Sequence, residues 1–357
     1  MNDSDRQLLA VLAREFGVHL VSVKAVVGGF SGARLFHVSD EAGKEFALRL
    51  TPKEHAIAPE RISLLHQLIS FLAAQEYSIV PVPLQLRQRV MAEFRIPVDG
   101  EWPATILVNN GQLVQLERWQ RGCSVELPTE SQLQETMRRL SEFHRLARRW
   151  GGVIAENPWF YVRHGPSPGL QRRLQLLLRL DSGLLRELET AAATDSHAEF
   201  RTLARTMLDV ARRCVPGLIR AVEPLKLTSF ALSPVIRDLW REHLLFTGDH
   251  LTGLIDLTAA ATDHVVLDLA RLLRSWYETD CRAIGRALNF YAAEAAISEP
   301  EYRLFQALDH WSVLLSPLTW LQRRYCEGRW AETQNDRVMQ RVTSLVRIAQ
   351  EVDFLRG

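Results

Sequence analysis

The sequence predicts an α+β fold with two lobes. A small β-rich N-lobe is expected at 1–115 and a larger, mainly helical C-lobe at 123–357, with a short hinge at 116–122. Short apolar runs separated by glycine-containing turns dominate the first part of the chain, which is typical of antiparallel strands. From about residue 129, apolar side chains instead recur at helical spacing. No internal repeat, low-complexity tract or long linker indicates another architecture.

The N-lobe elements follow from capping patterns, turn residues and apolar periodicity. Ser4 and Gln7 have the spacing of a capping box, which predicts a short N-terminal helix. Pro59 is expected to begin a second helix, since apolar residues after it have helical spacing. An Asn-Gly pair at 110–111 predicts a hairpin. Three further β-rich runs predict an antiparallel meander, at 19–27, 34–38 and 45–50.

The C-lobe elements begin with a second capping box, formed by Thr129 and Gln132. The helix that it opens has one buried face. Residues 168–222 are rich in leucine and arginine and are predicted to be helical, whereas 228–257 is predicted to form short strands and loops. From about Leu267 the remainder of the chain is again predicted to be helical.

Composition excludes several classes of function. The 43 lysines and arginines nearly balance the 42 aspartates and glutamates, so a net charge of +1 predicts binding to neither nucleic acid nor a membrane surface. The chain contains no run of 18 apolar residues, so no transmembrane helix is predicted. The four cysteines form no C-x-x-C pair, and the acidic, polar N-terminus is unlike a signal peptide. A thiol-keeping cytoplasm is therefore the expected compartment.

The most informative part of the chain lies at 234–271. Asp238 precedes His243 by five positions on a stretch predicted to be extended. A carboxylate at this spacing can accept a hydroxyl proton while its neighbour faces a metal ion. Asp256 follows the apolar pair Leu254-Ile255, so a strand is expected to deliver its hard oxygen ligands to a site that suits Mg²⁺.

These segments resemble three linked motifs of the aminoglycoside phosphotransferase/choline-kinase family. The motifs are the catalytic loop H-G-D-x-x-x-x-N at 236–243, the metal-binding I-D-F/W at 255–257, and D-x-x-x-D-L-A at 263–270, which is one residue longer here. The glycine-rich first hairpin, the basic residue Arg49 and the hinge also resemble the family, so the resemblance spans nearly the whole chain. It implies a protein-kinase-like two-lobed fold and transfer of the γ-phosphoryl group of ATP, or of GTP, to a hydroxyl of a small metabolite or antibiotic.

The resemblance also implies residue roles. Asp238 is expected to be the catalytic base, and Asp256 a ligand of Mg²⁺, with Mn²⁺ as the alternative. Arg49 is expected to bind the α- and β-phosphates. Backbone groups around Glu117 and Trp119 are expected to bind adenine. A phosphate-binding loop is predicted from four small residues, Gly28, Gly29, Ser31 and Gly32.

Three residues depart from the family pattern. Ile236 replaces the usual histidine and is expected to be a buried hydrophobe, while Arg237 replaces the usual glycine. His243 stands where an asparagine normally binds the second metal ion, and imidazole suits Mg²⁺ less well than an amide oxygen. Three roles remain open for it: binding Mn²⁺, acting through a water molecule, or hydrogen-bonding Asp238.

Alternative interpretations remain open. His243 and Ile236 are also compatible with an inactive pseudokinase that binds nucleotide or a protein partner. A protein kinase is less favoured, because the chain lacks D-F-G and A-P-E motifs. Arg49 is alternatively a solvent-facing strand residue, and its acidic partner is not defined, with Glu60 as the nearest candidate. The acceptor and the oligomeric state have no signature in the sequence.

Overall fold

The computed structural model describes residues 3–26, 32–52, 57–87, 104–109, 111–328 and 335–352. The chain forms two compact units. The first comprises Met1–Tyr161 and Arg241–Ala261, and the second comprises Val162–Trp240 and Thr262–Gly357. This division differs from the lobes predicted from the sequence, because the first long helix after the hinge and a hairpin at 244–254 belong to the first unit.

Within the ranges given above, the first unit contains a five-stranded sheet, three helices and a two-stranded hairpin. The helices are α1 (Asp3–Glu15), α2 (Pro59–Ala74) and α3 (Glu130–Gly151). The strands of the sheet are β1 (Leu20–Val26), β2 (Arg34–Asp40), β3 (Glu45–Pro52), β4 (Leu107–Asn109) and β5 (Gln112–Arg118), and the order across the sheet is β1-β2-β3-β5-β4. All of the neighbouring strands in this sheet are antiparallel.

Side chains alternate between the two faces of β3. Phe46, Leu48 and Leu50 are buried in an apolar cluster that includes residues of α1 and of β5. Arg49 lies on the opposite face, because successive side chains of a strand point to opposite sides. Arg49 is directly opposite Gln115 on β5. The sheet therefore has one apolar face and one face that carries charged and polar groups.

The hairpin of the first unit consists of β8 (Leu244–Thr247) and β9 (His250–Leu254). It is joined to the residue that follows the hinge by two reciprocal backbone hydrogen bonds between Cys123 and Phe246. Gly122 next to it has φ of +124°, and a Cβ there would lie 2.6 Å from the hydroxyl of Thr252. Only glycine fits this backbone, so the hinge and the hairpin approach closely at this position.

The second unit is mainly helical, with a small three-stranded sheet in the order β10-β7-β6. The strands are β6 (Arg163–Gly165), β7 (Phe230–Val235) and β10 (Ala261–Asp263). The helices are α4 (Pro168–Arg179), α5 (Leu185–Ala193), α6 (Ala198–Val222), α7 (Val266–Tyr277), α8 (Cys281–Glu294), α9 (Glu299–Tyr325) and α10 (Asn335–Glu351). Helix α9 packs against α6, α7 and α10, and its Trp311 is fully buried in this core.

Most of the predicted elements are confirmed. The meander, the helix that begins at Pro59, the 112–118 strand and the capping box of Thr129 with Gln132 are all present. The predicted N-terminal cap is wrong in position, because α1 begins at Asp3 and Ser4 lies inside it. No helix in the described ranges is long and apolar enough to cross a membrane.

Candidate active site

Asp256 lies at the centre of a polar cluster in the first unit. It follows β9 in the left-handed conformation, with φ of 57°, and begins a single 3₁₀ turn. Thr258 donates a hydrogen bond to its Oδ1 at 2.9 Å, and Arg49 Nη2 lies 3.6 Å from the same oxygen. The Asp256 side chain is 42% exposed, so its carboxylate is oriented by neighbours but remains accessible.

Arg61 of α2 fixes the turn that follows Asp256. Its guanidinium donates to the backbone carbonyls of Thr258, at 3.2 Å, and of Ala260, at 2.9 Å. Hydrogen bonds from a charged group are stronger than neutral ones, so the turn is held firmly against the helix. No pattern in the sequence indicates this contact, because nothing in the spacing of α2 distinguishes Arg61 from a solvent-exposed arginine.

His243 is the second predicted metal ligand and lies beside the first. Its Nε2 is 3.9 Å from Asp256 Oδ2, and its backbone carbonyl accepts a hydrogen bond from Ile255. Its Nδ1 is buried and has no hydrogen-bond partner among the described residues. The described residues include no group of three or more histidine, cysteine or acidic side chains suited to a metal ion. One carboxylate fits Mg²⁺, which commonly takes one or two protein carboxylates together with substrate phosphates.

Arg49 pairs with Asp256, and Glu60 is not its partner in the described part of the chain. The sequence did not define the acidic partner of Arg49, and in the structure Asp256 takes this place rather than Glu60, the nearest candidate. A buried network at the same face of the sheet escaped sequence analysis. His66 of α2 contacts Thr105 through Nδ1 at 2.8 Å and Gln115 through Nε2 at 3.0 Å. The signal for it was a histidine within the apolar register of α2.

The residues predicted to bind adenine lie where β5 ends. The amide of Trp119 donates to the carbonyl of Glu45, so it is engaged within the sheet. The Trp119 ring stacks on His37, with ring centroids 4.2 Å apart. The Glu117 carboxylate points toward His66, with 3.6 Å between Oε1 and Nε2.

The predicted phosphate-binding loop lies largely outside the described residues, which exclude Gly28, Gly29 and Ser31. Gly32 is described and has φ of +76°, a conformation that glycine adopts without strain. It lies two residues before the start of β2, so the described end of the loop leads into the sheet that carries Arg49 on its third strand.

Asp238 belongs to the second unit, in the loop after β7. The loop is held by Asp268 at the start of α7, which is completely buried. The Asp268 carboxylate accepts hydrogen bonds from the amides of Ile236, at 2.8 Å, and Arg237, at 2.6 Å. Ile236 is buried, as expected for a hydrophobe that replaces the family's histidine. Asp268 thus braces this loop from the start of α7.

The Asp238 carboxylate has two neighbours that the sequence did not indicate. Trp240 donates from its indole Nε1 to Asp238 Oδ1 at 2.8 Å, and Arg271 of α7 forms an ion pair with the same oxygen. The Asp238 side chain is 48% exposed. The candidate base is thus oriented by an indole and a guanidinium while part of it faces solvent.

Arg237 adopts a backbone conformation that favours glycine, with φ of 70°. A non-glycine residue pays about 1–2 kcal/mol for this conformation. We therefore expect the free energy of unfolding of Arg237→Gly to exceed that of Arg237→Ala by about 1 kcal/mol. Both variants lack the arginine side chain, so the difference reports on the backbone conformation. Urea unfolding of the two variants measures the difference, and equal stability would show that the backbone here is not strained.

Comparison with known proteins places the chain in a family. No curated protein sequence is significantly similar to it. Among solved structures, an aminoglycoside phosphotransferase from Alicyclobacillus acidocaldarius has a TM-score of 0.59 at 17% identity, covering 94% of this chain and 91% of that one. An amicoumacin kinase solved with AMP-PNP, Ca²⁺ and its ligand has a TM-score of 0.63 at 13% identity, covering 99% and 96%.

A spectinomycin phosphotransferase solved with ADP and spectinomycin has a TM-score of 0.57 at 10% identity, covering 97% of both chains. At these identities the likeness concerns the fold, and the predicted α+β, kinase-like architecture is confirmed. The sequence model of the phosphotransferase enzyme family APH matches residues 22–305, most of the chain. The chain therefore belongs to the APH phosphotransferase enzyme family.

Proposed function

We propose that the chain is an ATP-dependent kinase that transfers the γ-phosphoryl group to a hydroxyl of a small molecule, with Asp238 as the base and Asp256 as the metal ligand. The observation that carries the proposal is the placement of Asp256. Its accessible carboxylate lies 3.6 Å from Arg49 and 3.9 Å from His243, in a turn fixed by α2. Phosphoryl transfer needs such a set of positioned charges more than it needs covalent chemistry.

Arg49 and Asp256 are the residues that we propose for the triphosphate. In the structure they lie close to each other, so each partly neutralises the other's charge. Arg49 would hold phosphate oxygens of a bound nucleotide, and Asp256 would hold the divalent cation. A bound Mg²⁺ would neutralise charge on the phosphates. The loop at 28–32 and the backbone around 117–119 are proposed to hold phosphate and adenine.

Asp238 is the group that we propose to accept the hydroxyl proton. As the acceptor oxygen bonds to the γ-phosphorus, the bond from that phosphorus to the bridging oxygen breaks and ADP leaves. Trp240 and Asp268 have positioning roles, the former through Asp238 Oδ1 and the latter through the loop backbone. A base held at a fixed orientation favours a productive geometry for attack.

The proposal is tested with purified protein, ATP and Mg²⁺. A ligand at about 100 times its Kd is expected to stabilise the folded state by about 2.7 kcal/mol, visible as a rise in Tm. Transfer is measured as ADP release with a panel of hydroxyl compounds, and GTP and Mn²⁺ are compared in the same assay. The absence of both nucleotide stabilisation and turnover would refute the proposed function.

A second candidate is a pseudokinase that binds nucleotide without transfer. Two observations favour it. His243 stands in place of a metal-binding asparagine, and Arg271 forms an ion pair with the carboxylate of Asp238. Nucleotide stabilisation without transfer in the wild type, unchanged in Asp238→Ala, would support this second candidate. Transfer that Asp238→Ala abolishes would exclude it.

A further inference from the structure

Arginines surround Asp238 in the second unit. Arg271 pairs with the Asp238 carboxylate, and its guanidinium carbon lies 4.6 Å from the centre of the Trp240 ring. Arg341 of α10 also lies over that ring, at 4.2 Å. Arg237 directly precedes Asp238 in the chain. The indole that hydrogen-bonds the candidate base is therefore in contact with two guanidinium groups.

Arg173 of α4 adds another positive charge to this region. Its Nη1 donates to the carbonyl of Gly169 at 3.2 Å, and no carboxylate among the described residues forms an ion pair with it. Burial lowers the pKa of Arg173 to about 9. The nearby charges of Arg271, Arg172 and Arg237 act in the same direction, and the Asp263 carboxylate opposes them in part. Like charges gathered at a partly buried position are costly, and an anion beside them would relieve that cost.

The carboxylates of this region are already engaged. Asp263 is completely buried and accepts hydrogen bonds from Ser167, at 2.7 Å, and from Arg172, at 3.0 Å. Asp268 is also buried and binds the loop amides. Asp238 is the exposed carboxylate of the set. A polycationic acceptor would thus meet several arginines close to the base, whereas an anionic one would meet opposite charge.

We propose that the acceptor carries a carboxylate or phosphate group near its reactive hydroxyl, and that Arg271 and Arg173 bind this anionic group. The inference rests on the proposed function and specifies the class of acceptor. Arg271 exchanges the Asp238 carboxylate for the anionic group of the acceptor, and Asp238 becomes free to take the hydroxyl proton. That hydroxyl oxygen bonds to the γ-phosphorus of ATP as ADP leaves.

The test compares acceptors matched in size and different in charge. Protein saturated with AMP-PNP and Mg²⁺ is titrated calorimetrically with glycerol, glycerate, glycerol 3-phosphate and 3-amino-1,2-propanediol, and with the matched set glucose, gluconate, glucose 6-phosphate and glucosamine. We expect an anionic member to bind at least about tenfold more tightly than its neutral and cationic counterparts. The carboxylate and phosphate members show which anion the arginines prefer.

Variants connect the binding to the arginines. Arg173→Gln is expected to lower the affinity for the anionic compound about tenfold. Arg173→Lys keeps the charge and is expected to lower this affinity by less. The control is Arg303→Gln on α9, which removes an exposed arginine paired with Glu299 in the same unit and should leave the affinity unchanged. Circular dichroism and Tm establish that each variant is folded.

Two results would overturn the inference. The first is a wild type that binds the cationic or neutral compounds as tightly as the anionic ones. The second is anion binding that Arg173→Gln leaves unchanged. Failure of the proposed kinase function is read separately, as the absence of stabilisation by AMP-PNP with Mg²⁺, and does not depend on Arg173.

Discussion

Replacement of Asp238 by asparagine is expected to lower the rate of phosphoryl transfer by about 10²–10⁴-fold, the range typical of a lost general base. The amide has nearly the same shape and its oxygen can still accept from Trp240, but it cannot take up the hydroxyl proton. The ion pair with Arg271 is lost as well. Asp238 is proposed to contact the acceptor hydroxyl and not the nucleotide or the cation, so the affinity for nucleotide and Mg²⁺ should change little.

The measurement is single-turnover transfer at saturating nucleotide, with Kd for AMP-PNP determined in parallel. Asp249→Asn is the matched control, since Asp249 lies exposed in the turn between β8 and β9 and its hydrogen bond from Thr129 can persist to an amide oxygen. If the transfer rate of Asp238→Asn stays within about threefold of the wild-type rate, the loss is far smaller than the loss expected for a general base. Asp238 would then not be the base.

The largest loss of stability is expected for Asp268→Asn. The two amides that donate to this carboxylate are at least partly buried, and each unsatisfied buried donor costs about 1–3 kcal/mol. Asparagine can accept from one of them, and its NH₂ group then faces the other. Together with the lost charge, this lowers the free energy of unfolding by about 3 kcal/mol.

Urea unfolding followed by circular dichroism measures this loss. Asp209→Asn on α6 is the control, because Asp209 is exposed and its pairing with Arg212 spans one helical turn. Such a surface change is expected to stay within about 0.5 kcal/mol of the wild type. Equal midpoints for the two variants would mean that Asp268 does not hold the loop.

The elements of the fold that are determined by short sequence patterns were predictable. The meander and the second helix follow from alternation, turn glycines and the proline at position 59, each of which acts over a few residues. The division into units was not predictable, because α3 and the β8–β9 hairpin join the first unit through long-range contacts such as the Cys123–Phe246 pair. The sequence of one segment does not show which distant segment it pairs with.

The site was predictable to the same extent. The order of the motifs led to Asp256 and His243, and in the structure Asp256 lies close both to His243 and to Arg49. The partners of Asp238 were not predicted, since Trp240 and Arg271 carry no motif that distinguishes them from other surface residues. Ion pairs depend on side-chain directions that the sequence does not specify, and for this reason the acidic partner of Arg49 also stayed undefined.

The contact of Arg61 with the turn after Asp256 links two properties of the first unit. Helix α2 and the carbonyls of Thr258 and Ala260 are joined by one guanidinium, so a displacement of the helix displaces the turn. Linkage between sites is reciprocal, so whatever fixes Asp256 also restricts α2. A compound that displaces α2 would therefore lower the affinity for the cation without contacting the cation site.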